Sequence, residues 1–540
     1  MGRQWISARA VPPALLALSG IASRATAAEP PPANIDPKWL LDPGALSPSD
    51  PEPGLVRLEG HGEYQVRLRG QRQISLPTYR ANEGTADLSQ TTRLTHWLRF
   101  TPQLTLGERL RIVGQADLAR GFIGGQPTQY VSAARTPYDD RQPLQADPRW
   151  LYFDYDHGFV GVRGGQQPSH WGLGMVENDG NHRPYWGDYE AGTRVERLEL
   201  RVHPDDDDPA FELRFAGDLV FADADADLRR DQHAVRAVAS LRAGRAEGDS
   251  VGLLAIYRHQ TQPSPVGEDA NRAVVRRWTL DLTGNFSEPV AGSRAWVFGG
   301  FESALQVGDS TLAPTLEQTT SNQRESIAGM GATLHLGAVF TNDAAAPTRG
   351  QLVLELEWGW ASGDADPYDG TDHRFEFDPS YNVGLLLFDE VLAWKTARAA
   401  TIGEDELLGP RPRPESSQLA SNGAVTGATY THPQVIYRPL ADLALQAGAV
   451  IAQTTSDFVN PVGLYTSGRY ANYDGGSPTA HDLGVELLFG AEWHHRVDTG
   501  VTLQVGGQAA TLFPGNAFAD ASGTRMRTLH AGIARIGVQY

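Results

Sequence analysis

The sequence predicts an all-β protein, a single antiparallel transmembrane β-barrel of about eighteen strands, with about sixteen as the alternative. Three observations carry this. Apolar and polar residues alternate with a period of two over stretches longer than the roughly 5–6 residues of a soluble strand. Short Gly, Pro or Asp turns then alternate with long polar loops, as they do when hairpins cross a bilayer. Finally, the last segment, Thr528 to Tyr540, is itself a strand, with Gly532, Ala534, Ile536, Val538 and Tyr540 on one face and Arg535, Gly537 and Gln539 on the other. In an open sheet it would be an unpaired edge, whereas in a closed barrel it lies against the first strand and no edge remains.

The first strand sets the pattern. Over 55–71, Leu58, Gly60, Gly62, Tyr64, Val66 and Leu68 share one face, while Arg57, Glu59, His61, Glu63, Gln65, Arg67, Arg69 and Gln71 share the other. A wholly polar second face requires water or polar partners on that side. Further strands are expected near 92–105, 109–120, 148–156, 159–168, 194–203, 210–221, 234–243, 250–259, 274–287, 294–307, 326–341, 350–361, 432–438, 443–454, 480–493, 500–512 and 527–540. The even count places both ends of the barrel on the short-turn, periplasmic side. Most tryptophans, among them Trp97, Trp150, Trp278 and Trp358, fall in these strands, where an interfacial girdle would use them.

Ahead of the barrel, residues 1–28 read as a signal peptide. Arg3 and Arg9 precede an apolar run from Ala10 to Ala22, and Ala25-Thr26-Ala27 supplies a small-residue cleavage site. Residues 29–54 are crowded with proline and read as an extended periplasmic leader. The barrel then occupies 55–540, and no later segment approaches a spanning helix.

Composition narrows the chemistry. The chain has no cysteine, which excludes thiol catalysis, disulfides and Cys-ligated zinc. A net charge of −19 argues against nucleic acid as a partner. Lys38 and Lys395 are the only lysines, so the positive charge is almost all arginine. Ser169-His170 and His494-His495 are adjacent pairs whose side chains point to opposite faces of a strand, not spaced catalytic constellations. The expectation is therefore not an enzyme.

The inward register holds Arg57, Arg67, Arg69, Arg99, Arg111, Arg277 and Arg535 as pore-lining candidates, with Glu59, Glu63, Asp117 and Asp281 among them. Such a mixed wall suits hydrated polar solutes with a lean toward anions. Facing arginines and carboxylates would also brace the wall by pairing. Asp364, Asp366, Asp369 and Asp372 could offer oxygen ligands to Ca²⁺, although their spacing misses the EF-hand pattern by one residue and Asp-Gly turns account for it more simply. No other cofactor is expected. The 362–431 loop is too long for a connector, and its Val383–Trp394 run, V-G-L-L-L-F-D-E-V-L-A-W, is apolar enough to require burial. It is expected to fold into or over the barrel mouth as a plug or lid, with one more strand pair as the alternative.

The ending on Tyr540 is similar to the C-terminal signal of Gram-negative outer-membrane barrels, which implies delivery by the barrel-assembly machinery through that strand. Three further stretches carry a more specific likeness: Arg163-Gly-Gly-Gln-Gln-Pro-Ser-His170-Trp-Gly-Leu-Gly174, Ala361-Ser-Gly-Asp-Ala-Asp-Pro-Tyr-Asp-Gly370, and Leu503 to Gly515, which closes on Leu-Phe-Pro-Gly. Together they resemble the alginate-export type of outer-membrane porin. That resemblance implies a channel in the outer membrane of a Gram-negative bacterium, embedded in lipid and passing saccharides or other small polar or anionic solutes. A surface-binding or structural barrel with a filled lumen is the alternative, and an outer-membrane hydrolase the second.

Overall fold

A computed structural model describes residues 56–72, 74–76, 87–88, 91–125, 145–187, 192–204, 210–244, 249–263, 272–312, 324–342, 348–404, 419–497 and 500–540. The expected signal peptide and leader lie outside the described residues. Eighteen strands form the wall: β1 Val56–Gln71, β2 Thr91–Leu106, β3 Leu110–Gly125, β4 Gln145–His157, β5 Val160–Pro168, β6 Arg194–Val202, β7 Phe211–Ala222, β8 His233–Gly244, β9 Ser250–Pro263, β10 Arg272–Pro289, β11 Ala295–Ser310, β12 Glu325–Phe340, β13 Gln351–Ala361, β14 Ala428–Leu440, β15 Leu443–Thr454, β16 Asp482–Arg496, β17 Thr502–Pro514 and β18 Leu529–Gln539. Each pairs antiparallel with its neighbours in the sequence, and the two-residue strand Thr371–Asp372 adds parallel to β12.

Closure runs through β1, which pairs with both β2 and β18. Tyr64 stands opposite Val538 and Val66 opposite Ile536, the contact expected from the terminal strand. Tyr540 extends the ladder by exchanging two backbone hydrogen bonds with Gly62, each 2.9 Å. Its ring covers Gly62 so closely that a Cβ there would fall 2.1 Å from the ring carbon Cζ. The glycine leaves the space on which the last aromatic lies.

The two faces of the wall differ as the alternation requires. On the outer face Leu58, Leu280, Leu282, Phe301, Leu336, Leu356, Leu445 and Ile536 are exposed, and they continue around the barrel. A continuous apolar belt of this extent is a lipid-facing surface. On the inner face Gln65, Arg67, Asp117, Asp154, Asp218, Arg258, Asp281, Glu302, Glu357, Glu486 and Arg535 are buried. No helix among the described residues is long and apolar enough to cross a membrane.

Tryptophans serve both faces. Trp278 and Trp358 point outward, whereas Trp97 and Trp150 are buried. Trp97 lies beneath the guanidinium groups of Arg67 and Arg99, with the latter 4.3 Å from the ring centre. The girdle expectation fails for these two because their register turns them away from lipid.

Short connections, none longer than 341–350, gather at one end of the barrel, and the long ones, including 169–193, 362–427 and 455–481, at the other. A test of the lipid-facing assignment follows. Leu280→Arg, at mid-strand on the outer face, should destabilise the barrel in lipid by about 2–4 kcal/mol in reversible urea unfolding. An unchanged midpoint would show that this face does not meet hydrocarbon.

Candidate functional site: two segments held inside the barrel

The inner wall is dense with ion pairs. Arg99 meets Asp117 at 2.8 Å, Arg163 meets Asp154 at 2.7 Å, and Arg197 and Arg236 share Asp218 at 2.6 and 2.8 Å. Arg258 pairs with Asp223 at 2.6 Å. All but the last, whose Asp223 lies just past β7, join neighbouring strands, and together they satisfy charges that would otherwise face a low-dielectric interior.

The seven arginines expected to line a pore divide by partner. Arg57 pairs with Glu59 on its own strand at 2.8 Å, Arg111 with Asp154 at 3.1 Å, and Arg277 with Asp225. Arg67 and Arg99 stack over Trp97. The other two, Arg69 and Arg535, together with Arg99, reach chain that lies inside the barrel. Arg69 meets Asp389 at 2.7 Å and Glu390 at 2.5 Å, Arg99 donates to Asn181 Oδ1 at 2.9 Å, and Arg535 donates to the Gly187 carbonyl at 2.8 Å. Their charge is committed to the wall and its contents more than to a water-filled channel.

Two segments occupy the interior. The first, 169–187, joins β5 to β6 and reaches several sectors of the wall. At one end Trp171 Nε1 donates to Asp281 of β10 at 3.1 Å. Further along, Asn181 meets Arg99 of β2, and Arg183 pairs with Glu492 of β16. At the far end Trp186 Nε1 donates to Gln434 of β14 and the Gly187 N–H to Gln508 of β17. The second segment, 375–404, comes from the 362–427 connection. It contains a stretch of π-helix, Leu387–Leu392, that runs into α1, Ala393–Glu404. The Val383–Trp394 run is buried almost throughout, packed with Met175, Tyr185 and Trp186 of the first segment and with wall residues Tyr430, Leu488 and Leu512.

A buried wall carboxylate anchors each segment in the same way. Glu302 accepts the backbone N–H groups of Leu173 (2.5 Å), Met175 (3.2 Å) and Val176 (3.0 Å). Glu486 accepts those of Leu385 (2.8 Å), Leu386 (3.0 Å) and Leu387 (2.9 Å). Backbone N–H groups converging on one carboxyl group form a nest. Both nests open on a glycine with positive φ, Gly172 (φ 56°) and Gly384 (φ 74°). A Cβ at Gly172 would stand 2.6 Å from Glu302 Oε2, and one at Gly384 would stand 3.0 Å from Glu486 Oε2. Only glycine gives both the turn and the approach.

The two segments are also tied to each other. Asp378 Oδ2 accepts from the Asn178 N–H at 3.3 Å and from Thr193 Oγ at 3.1 Å, and the Asp378 N–H donates to the Met175 carbonyl at 2.7 Å. Burial pushes the Asp378 carboxyl up to about 8. Asn382 donates to the Trp186 carbonyl at 2.8 Å, and Tyr381 donates to Glu357 at 2.9 Å while meeting His335 Nε2 at 2.7 Å. Deeper along α1, Lys395 meets Asp474 at 2.6 Å.

The expected calcium ligands do not converge. Asp364 accepts the Asp366 and His373 N–H groups, Asp366 that of Tyr368, and Asp369 that of Thr371, while Asp372 pairs with Arg374 at 3.1 Å. Their oxygens are turned onto their own backbone, which is the turn chemistry of Asp and not a cation cage. Among the described residues, the group that does bring three possible ligands together is His170, Asp179 and His182. Burial alone would raise the Asp179 carboxyl, but the His182 hydrogen bond, the nearby His170 and the Asn181 N–H outweigh it and hold it well below the usual carboxylate range.

No known family profile matches the chain, and no curated protein matches it, so the alginate-export likeness has no support from either. Solved structures similar to it in layout include Pseudomonas aeruginosa OccK5 (OpdH), at 9% identity, TM-score 0.44, covering 89% of this chain and 98% of that one. Acinetobacter baumannii OccAB1 gives 11%, 0.45, 90% and 98%. A BenF-like porin from Pseudomonas fluorescens Pf-5 gives 8%, 0.46, 90% and 100%. At such values no residue corresponds to another, and every role above is read from this chain alone.

Glu486→Gln should loosen the second segment, because an amide keeps one acceptor oxygen but turns an NH2 group toward a backbone N–H that needs an acceptor. Limited proteolysis of the folded barrel should then cut within 385–404 at least tenfold faster than in the parent, with the strands intact. Equal rates would show that packing alone holds the segment.

Proposed function

We infer that this chain is an outer-membrane channel of a Gram-negative bacterium, passing small hydrated polar or anionic solutes through a lumen narrowed by two inward-folded segments. The observation that carries the reading is the paired anchoring of 169–187 and 375–404 by Glu302 and Glu486. A barrel serving only as a membrane anchor needs no ordered polar machinery inside it. A general diffusion pore would leave its lumen wide. Narrowing by rigid, hydrogen-bonded chain is how a pore discriminates among solutes. The anionic lean comes from the family resemblance and not from the wall, where Arg99, Arg194 and Arg535 are paired with Asp117, Asp147 and Glu492. The three stretches that resemble alginate-export porins make uronate saccharides the first solutes to test.

A second reading rests on the apolar cluster around Phe388 and Trp186, which fills part of the interior. It makes the barrel a structural or surface-binding protein with an occluded lumen.

Planar-bilayer recordings of the purified protein separate the two. The channel reading predicts discrete steps in the parent, larger and less selective steps after deletion of 380–400, and weak anion preference in both. Silence from the parent with conductance only after deletion would establish the occluded barrel. Silence from both would end the channel reading.

A further inference from the structure

We propose that His170, Asp179 and His182 form a binding site for a divalent transition-metal ion that ties the start of the first inner segment to its middle. One nitrogen of each imidazole and one carboxylate oxygen all lie within 4.8 Å of one another. Ligands bound at about 2.0–2.2 Å stand roughly 3–4 Å apart, so a small rotation of each side chain gathers the set. The imidazole rings are stacked with centres 4.2 Å apart and planes 29° from parallel, so they must turn out of the stack for their in-plane lone pairs to meet on one ion. His182 Nδ1 already lies 3.1 Å from Asp179 Oδ1, the arrangement that a metal would bridge.

The surroundings hold the ligands in place, and the Asn181 N–H donates to Asp179 Oδ1 at 2.8 Å. Arg149 donates to the Asp179 main-chain carbonyl at 2.9 Å. Gly192, at φ 70°, packs so tightly on that carbonyl that a Cβ would fall 1.9 Å from it, fixing the backbone of Asp179. Asn181 is held by Arg99 and Gln115. His170 follows directly on the wall end of the segment, beside Trp171 with its bond to Asp281. His182 is half exposed, so solvent reaches the site and coordination positions stay open to water.

Two imidazoles and one carboxylate suit Zn²⁺, Ni²⁺ or Cu²⁺ and not the hard cations that prefer all-oxygen cages. An ion there would join the part of the segment docked on Asp281 and Glu302 to the part docked on Arg99 and Arg149. It would stiffen one wall of the constriction and place positive charge beside it.

Calorimetric titration of ZnCl₂ into the metal-stripped full-length protein, folded in detergent at pH 7.5, tests this directly and does not depend on whether the barrel conducts. One site of micromolar affinity is expected, weakened at least tenfold by His170→Gln and by His182→Gln and unchanged in His494→Gln/His495→Gln. Binding should weaken as the pH falls, because protons compete with the metal for the imidazole nitrogens. His182 is exposed enough to replace without disturbing packing, so its variant decides even if His170→Gln folds poorly, which heat-modifiable gel mobility reports. Absence of a single-site isotherm, or binding retained in His182→Gln, would overturn the proposal.

Discussion

The interior of this barrel depends on one interaction repeated twice: a buried glutamate on the wall receiving three backbone N–H groups from chain that has left the wall. Neither partner is stable alone. A carboxylate on the inner face of a protein-filled barrel has lost its water, and a loop drawn into the lumen has backbone donors with no strand to pair with. Glu302 with 173–176 and Glu486 with 385–387 solve both problems together. The apolar side chains of Val383–Trp394 then pack on Met175 and Trp186 of the other segment, so the two anchors hold a single inner body.

Charge elsewhere on the wall follows the same logic. Arginines and aspartates that look in the sequence like a lining for solutes are arranged across strands as pairs, as with Arg99 and Asp117 or Arg236 and Asp218. What a solute would meet is set by the two inner segments more than by the bare wall. Selectivity in such a channel would belong to loops, with the strands acting as the frame that positions them.

The wall was legible in the sequence because a strand exposed to lipid on one side and to polar groups on the other has only one workable pattern. All eighteen expected segments appear as strands, and the register of β1 against β18 is the one that the alternation of Val66 and Ile536 requires. The inner body was only half legible. Val383–Trp394 announced itself by carrying apolar residues through a loop, whereas 169–187 reads as polar until Trp171, Met175, Tyr185 and Trp186 are counted together. Glu302 and Glu486 gave no sign, since each is one polar residue in an inward register of many. Their distinguishing mark lies on the inner segments, a glycine before an apolar run at Gly172 and Gly384, and it gains meaning only when segment and wall are brought into contact. The acidic 364–372 stretch was ambiguous in the sequence, because aspartates that cap their own turns, as Asp364, Asp366 and Asp369 do, have the same composition as aspartates that gather a cation.

Amide hydrogen exchange of the folded protein in detergent, resolved to individual peptides, tests the anchoring most directly. Leu173, Met175, Val176 and Leu385 to Leu387 should exchange as slowly as the strand amides of Ala295–Ser310. Exchange of those six amides as fast as that of the exposed 520–526 loop would show that the carboxylates do not hold the segments, and the account of a narrowed lumen would fail with them.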